Sequence, residues 1–120
     1  MFRILIIFLG GGMGSLSRYS MAKLIDYKVL NFPLATLLSN VFACLILGYF
    51  LGLELKNGIA DNTKLMVITG FCGGFSTFST FSAESVKLLS EGQFTLAAIN
   101  ILANLISCFL FIFIGMKLGM

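Results

Sequence analysis

The feature that most constrains this chain is where it carries no charge. From Pro33 to Leu53 there is no Asp, Glu, Lys or Arg, and from Phe94 to Met116 there is again none. Each stretch reaches the ~20 apolar residues that a helix needs to cross bilayer hydrocarbon. Two further apolar segments, at about 3–24 and 65–89, are separated from these by short hydrophilic connections. Only 11% of the 120 residues are charged and 58% are hydrophobic. A soluble domain would carry roughly 25% charged residues, and 13 Phe are incompatible with disorder. The pattern predicts an all-α membrane protein: one domain of four transmembrane helices at about 3–24, 33–53, 65–89 and 94–118.

The inventory of reactive side chains is short. Histidine is absent, and Cys44, Cys72 and Cys108 each lie inside an apolar stretch. Zinc, haem and iron–sulfur chemistry are therefore not expected, nor is a disulfide framework. The cysteines read as small buried hydrophobes. No enzyme and no nucleic-acid partner are expected.

The first segment begins FRILIIFL and continues into GGGMGSLSRYS. Gly12-x-Gly14 after an apolar run suggests the turn of a dinucleotide fold. That fold needs a second strand ending in an acidic residue about 20 positions on, and a second long apolar stretch follows instead. A signal peptide fits poorly, because the run is short and no A-x-A site follows. A membrane helix with close-packing glycines fits better: Gly10 and Gly14 form a GxxxG pair, with Gly11 and Ser15 beside them. Pro33 suits the first turn of the second helix. The third segment contains GFCGGFSTFSTFSAES. Gly70, Gly73, Gly74 and the hydroxyl run from Ser76 to Ser85 predict a third helix broken near its middle, around Gly73–Thr77. Irregular backbone at membrane depth survives only where it is buried in protein or lines a polar cavity.

Four spans place both termini on one side. That side carries Arg3, Lys56, Lys64 and Lys117, and the other carries Arg18, Lys23, Lys28 and Lys87. Lys/Arg asymmetry sets orientation, so this balance predicts insertion both ways, unless small counts balance by chance or Arg18 is buried. Polar residues at membrane depth (Ser39, Asn40, Asn100, Asn104, Ser107) need partners. Self-association would cover them, and dual insertion would make the dimer antiparallel.

Several residues carry possible chemistry. Asn40 offers two N–H donors and a carbonyl, and serves equally well as interhelical glue. Asn100 and Asn104, four apart, put a polar stripe on one face of the fourth helix; it fits packing or a conduction path. Phe75, Phe78 and Phe81 recur every three residues with hydroxyls between. The positive edge of a phenyl ring attracts anions, while a Phe stripe in isolation more often packs. Carbonyls freed at a break near Gly73–Ser76 could hold a hard cation, which prefers oxygen ligands, or the break could be a simple kink satisfied by Ser and Thr. Arg18 could snorkel or provide a positive entrance field, and Glu84 could mark the other end of the polar track or pair locally.

At these residues the chain resembles the Fluc (CrcB) family of small fluoride channels, over essentially its whole length. The match rests on Gly11-Gly12-x-Gly14-x-x-x-Arg18-Tyr19, on Thr36-Leu37-x-x-Asn40, and above all on the run from Gly70 to Phe81. The resemblance implies a dual-topology antiparallel dimer with two fluoride pores and a central structural Na+. It implies that the Gly73 and Ser76 backbone carbonyls would hold the sodium, and that Phe78 and Phe81 would line the pores. Asn40 would be a donor along the path, with Thr77, Ser79, Thr80 and Glu84 in the surrounding polar region and Arg18 near the vestibule. The chain departs from the pattern at Ala35, Ser39 and Ser76, and at Asn100 and Asn104, where a tyrosine and a serine are expected. Some members pair with a homologous subunit, so the expected partner is itself or such a subunit.

The expected function is passive, selective export of fluoride across the plasma (inner) membrane. The main competitor is a proton-coupled exporter of the small multidrug resistance type, which needs an intramembrane carboxylate. The first segment has none, and Glu84 lies off-centre in the third. A non-transporting packing subunit would not need the hydroxyl density of GGFSTFSTF.

Overall fold

The computed structural model describes residues 1–25 and 31–120; Asp26 and Lys28, the latter one of the charges in the orientation tally, lie outside the described residues. Among the described residues, four helices are long and apolar enough to cross a membrane: α1 (Phe2–Leu24), α2 (Leu34–Asn57), α3 (Asp61–Ser90) and α4 (Phe94–Gly119). At 1.5 Å per residue, even α1 spans ~35 Å, against ~30 Å of hydrocarbon. α2 starts one residue after Pro33 and ends at Gly58, whose φ of 71° suits glycine. An ion pair between Glu54 and Lys64 closes the short α2–α3 connection.

The helices pack as two pairs, each held by glycines that let backbones touch. In the α2–α4 pair, a Cβ on Gly48 would overlap the Ile112 carbonyl, and one on Gly52 the Met116 carbonyl. From the other side, Gly115 abuts the Leu45 carbonyl and Gly119 the Tyr49 carbonyl. The contacts advance together along both helices, so α2 and α4 run parallel. The α1–α3 pair repeats the device: Gly10 meets Met66, Gly14 meets Phe71, and Gly74 meets the Gly11 carbonyl. The Gly10/Gly14 expectation is thus realised as a crossing with α3. The α2–α4 seam has the same GxxxG spacing on both of its helices. Without a hydrophobic drive between helices in lipid, close backbone packing supplies the attraction.

Burial is far more polar than in a soluble protein. α1 buries only Gly10 and Gly14, while Ile4, Phe8 and Leu16 face outward. Thr36, Ser39, Asn40, Thr77, Ser85, Asn100 and Asn104 are all buried. Lipid imposes this order, because it solvates apolar side chains and gives polar ones no partner.

α3 is irregular over much of its length. Lys64–Cys72 winds as a wider π-helix, a form associated with functional positions. Gly73–Phe75 is α-helical, winding stops at Ser76 and Thr77, and it resumes over Phe78–Ser90. The two breaking residues are extended, with ψ 154° at Ser76 and φ −150° at Thr77. The interruption therefore falls within the expected Gly73–Thr77 window, yet the glycines themselves stay helical. Gly74 is needed for contact with α1.

Gly115→Val should destabilise the protein by about 1–3 kcal/mol, because backbone on α2 cannot yield to the added carbons. Gly12, whose Cβ would meet nothing within 4 Å, should accept alanine with no loss. Equilibrium unfolding of both variants in mixed micelles checks the contrast.

Candidate functional site

The site forms where the break in α3 meets α2 and α4. Extended backbone at Ser76–Thr77 exposes amide groups that a helix would have paired, and at membrane depth these need partners. Asn40 provides them. The Thr77 N–H donates to Asn40 Oδ1 at 2.7 Å, and Asn40 Nδ2 reaches back to the Thr77 carbonyl at 3.4 Å. One side-chain amide thus meets both the N–H and the carbonyl of one residue, as a neighbouring strand would.

Thr77 then restarts the helix. Its Oγ1 accepts from the Thr80 N–H at 3.1 Å, the ordinary N-cap arrangement, and donates to Thr80 Oγ1 at 3.0 Å. Ser79 Oγ lies 3.3 Å away. The break leaves the carbonyls of Gly73 to Ser76 without their helical partners, of which Gly74 accepts from Arg18 instead. In a continuous helix, Gly73 would accept from Thr77 and Ser76 from Thr80. Both donors are instead turned to side chains. The Ser76 hydroxyl donates to Cys72 O at 2.7 Å, so it does not compensate.

Behind Asn40 a buried amide chain runs along α4. Asn40 Nδ2 donates to Asn104 Oδ1 at 3.0 Å, and Asn104 Nδ2 to Asn100 Oδ1 at 3.0 Å. Asn100 Nδ2 continues to Ser85 Oγ at 2.9 Å, which donates to the Phe81 carbonyl at 2.8 Å. The predicted stripe on α4 is therefore an internal one, and it returns to α3.

Phe78 and Phe81 flank this chain, with ring centroids 5.6 Å apart. Their settings differ: Phe81 is buried, whereas Phe78 is 77% exposed on the protomer surface. Together with Asn40, Thr77, Ser76 and Asn104 they line a cavity of about 230 Å³. A larger cavity, about 710 Å³, opens on the other side of the break and is lined by Arg18, Thr36, Ser39, Thr80 and Glu84 among others. Here the Thr36 hydroxyl donates to the Glu84 carboxylate. Arg18 is half-buried, and its Nε donates to the Gly74 carbonyl at 3.2 Å. Arg18 therefore reaches the break itself, and does not simply snorkel outward. Ser39 Oγ is buried without a hydrogen-bond partner.

Ten of the twelve residues singled out from the sequence thus fall in two neighbouring groups. Asn40, Ser76, Thr77, Phe78, Phe81 and Asn104 share the smaller cavity, with Asn100 one bond behind. Arg18, Thr80 and Glu84 share the larger one. Exposed Ser79 and Gly73 sit at the break, facing out of the protomer. Pattern alone did not reveal the Thr36–Glu84 bond, although Thr36 stands one turn before Asn40 on the same face of α2.

A profile of the CrcB-like protein family, described as Camphor Resistance (CrcB), matches residues 5–116. The chain belongs to the CrcB family. It is 43% identical over 117 residues to a fluoride-specific ion channel FluC of Pyrococcus abyssi, covering 96% of this chain and 94% of the relative. It is 38% identical over 118 residues to the protein of that name from Pyrococcus furiosus, covering 97% and 94%. A third such relative, from Escherichia fergusonii, is 41% identical over 107 residues, covering 88% and 84%. These matches and the four apolar helices make the chain a multi-pass membrane protein of a channel family, not an enzyme.

Removing the N-cap tests the local geometry. Thr77→Val should lower stability by about 0.5–2 kcal/mol, and Thr77→Ser should recover most of it. Thermal unfolding of the purified variants measures both.

Proposed function

We propose that this chain is a passive fluoride channel that lowers fluoride inside the cell, working in the plasma (inner) membrane. Family membership gives the ion. The observation that carries the reading to these residues is the cavity that Asn40 and Thr77 line together with Phe78 and Phe81. A small, strongly hydrated anion must exchange its water for donors of matched strength. The side-chain N–H of Asn40 that makes the long 3.4 Å bond is the one most easily surrendered to an ion. Hydroxyls of Ser79 and Thr80 extend the donor track, and ring edges contribute attraction without a buried full charge.

The functional unit in this reading is an antiparallel dual-topology homodimer with two pores, a homologous second subunit being the alternative partner. Support comes from the protomer's outer face: Phe78, Ser79 and Gly73 are exposed beside the break. Polar backbone left facing lipid is costly, and a second copy placed there covers it. The Gly73 and Ser76 carbonyls, both deprived of helical donors, suit a hard monovalent cation. A structural Na+ held by them and by their symmetry mates would neutralise the carbonyl dipoles where the two copies meet.

The proton-coupled alternative is less well supported. Its carboxylate would have to be Glu84, which is hydrogen-bonded to Thr36 beside the larger cavity and outside the one lined by the phenylalanines.

Proteoliposomes read with paired fluoride and chloride electrodes provide the test. Rapid fluoride release without chloride release, and with no proton gradient, is expected. Phe78→Ile and Asn40→Asp should slow that release at least tenfold (about 1.4 kcal/mol or more in barrier) while the protein still elutes as a dimer. A folded dimer that releases no fluoride would overturn the reading. Dual topology has its own check: with Asn57→Cys, an exposed position that leaves every counted charge in place, an impermeant maleimide applied outside intact cells should label about half of the molecules, as a chain without charge bias inserts both ways.

A further inference from the structure

We infer that Asn104 and Asn100 are positioning residues: their chain of hydrogen bonds holds the Asn40 amide in a single orientation and thereby fixes the break in α3. This deepens the channel reading and rests on it only for the effect on conduction.

The argument begins with which groups can play only one role. A backbone N–H only donates, so the 2.7 Å contact from Thr77 requires the oxygen of Asn40 on that side. Asn40 must then present its nitrogen to Asn104, which must answer with an oxygen. The far end imposes the same sense independently. A backbone carbonyl only accepts, and Asn104 Nδ2 lies 2.9 Å from the Asn100 carbonyl. The nitrogen of Asn104 therefore points at Asn100 and its oxygen at Asn40. Asn100 passes the sense on through Ser85, whose hydroxyl ends on the Phe81 carbonyl. Two backbone groups that act only as donors or only as acceptors thus pin both ends of a one-directional relay.

Flipping any one amide would place oxygen against oxygen or nitrogen against nitrogen. Burial makes that expensive, since Asn40, Asn100 and Asn104 are 7%, 1% and 4% exposed and a buried amide facing a like group pays its desolvation without a compensating bond. The consequence reaches the break. While Asn40 keeps its oxygen on Thr77, the Thr77 N–H is withheld from Gly73, and the Gly73 carbonyl stays free. Without the relay, Asn40 can turn, Thr77 loses its acceptor, and the extended geometry at Ser76–Thr77 loses what holds it. Asn100 does not line the cavity shared by Phe78 and Phe81, so any effect of it there is transmitted.

Hydrogen exchange at the Thr77 amide, resolved by NMR on the full-length protein in micelles, tests this directly and does not depend on which ion is conducted. Asn104→Leu and Asn100→Leu keep volume while removing the polar group; Ser85→Ala changes only the far end and guards against misfolding. The expected result is Thr77 exchange at least tenfold faster in both asparagine variants, and faster to a smaller extent in Ser85→Ala. Amides along the Gly48–Gly52 seam should keep their wild-type rates. Wild-type protection of Thr77 in the three variants would overturn the inference, as would a uniform loss of protection across α2 and α4, which marks simple destabilisation. Fluoride release from the same preparations should fall at least tenfold for the asparagine variants. If the wild-type protein releases none, the channel reading fails while the exchange result still decides the positioning role.

Discussion

The rest of the site depends on one side chain standing in for a missing strand. Asn40 meets both the N–H and the carbonyl of Thr77, and this permits two residues of extended backbone to exist inside a membrane protein. The cost of unpaired amide groups in hydrocarbon otherwise restricts spanning segments to continuous helices. With the break satisfied from α2, the α3 segments on either side can point in independent directions. Phe75 and Phe81 are turned inward while Phe78, between them, is turned out.

That arrangement requires α2 to be accurately placed, and the glycine seams do this. The register that puts Gly48 on Ile112 and Gly52 on Met116 is the same one that puts Asn40 beside Asn104. The polar contact and the close packing are successive turns of one parallel crossing. A slip of one turn along the seam would carry Asn40 away from Asn104 and also drive glycine positions against side chains. Packing and hydrogen bonding therefore specify the same alignment, and the consistency of the two is what makes a unique fold from so little sequence variety.

Much of this was legible in the chain itself. Two uncharged stretches and two further apolar segments located four helices, and the glycine–hydroxyl run located the interruption to within a few residues. What pattern could not supply was the reason for it. Gly73 and Gly74 drew attention as helix breakers, yet both remain helical, and the extended residues are Ser76 and Thr77. The deciding interaction comes from Asn40, 37 positions earlier in the chain, and no local propensity encodes a contact of that kind. Asn100 and Asn104 were visible as a stripe, but a stripe does not say whether its amides face an ion or one another. Arg18 likewise reads as an interfacial charge until its bond to Gly74 is seen.

The placement of charge bears on what kind of transport such a site can support. Arg18 and Glu84 both line the larger cavity, and the bonds they make are local: one to a carbonyl, one to a hydroxyl. The smaller cavity contains no ionisable acid or base among its described lining residues other than the thiols of Cys44 and Cys108. A coupled exporter must load and unload a proton on the group that binds its cargo, whereas a passive pore must only keep each successive site from binding too well. In the proposed channel, the neutral amides and hydroxyls among the mainly apolar lining of this cavity, most already in internal bonds, would meet the second requirement. They would offer an ion weak, replaceable hydrogen bonds and no opposite charge on which to stop.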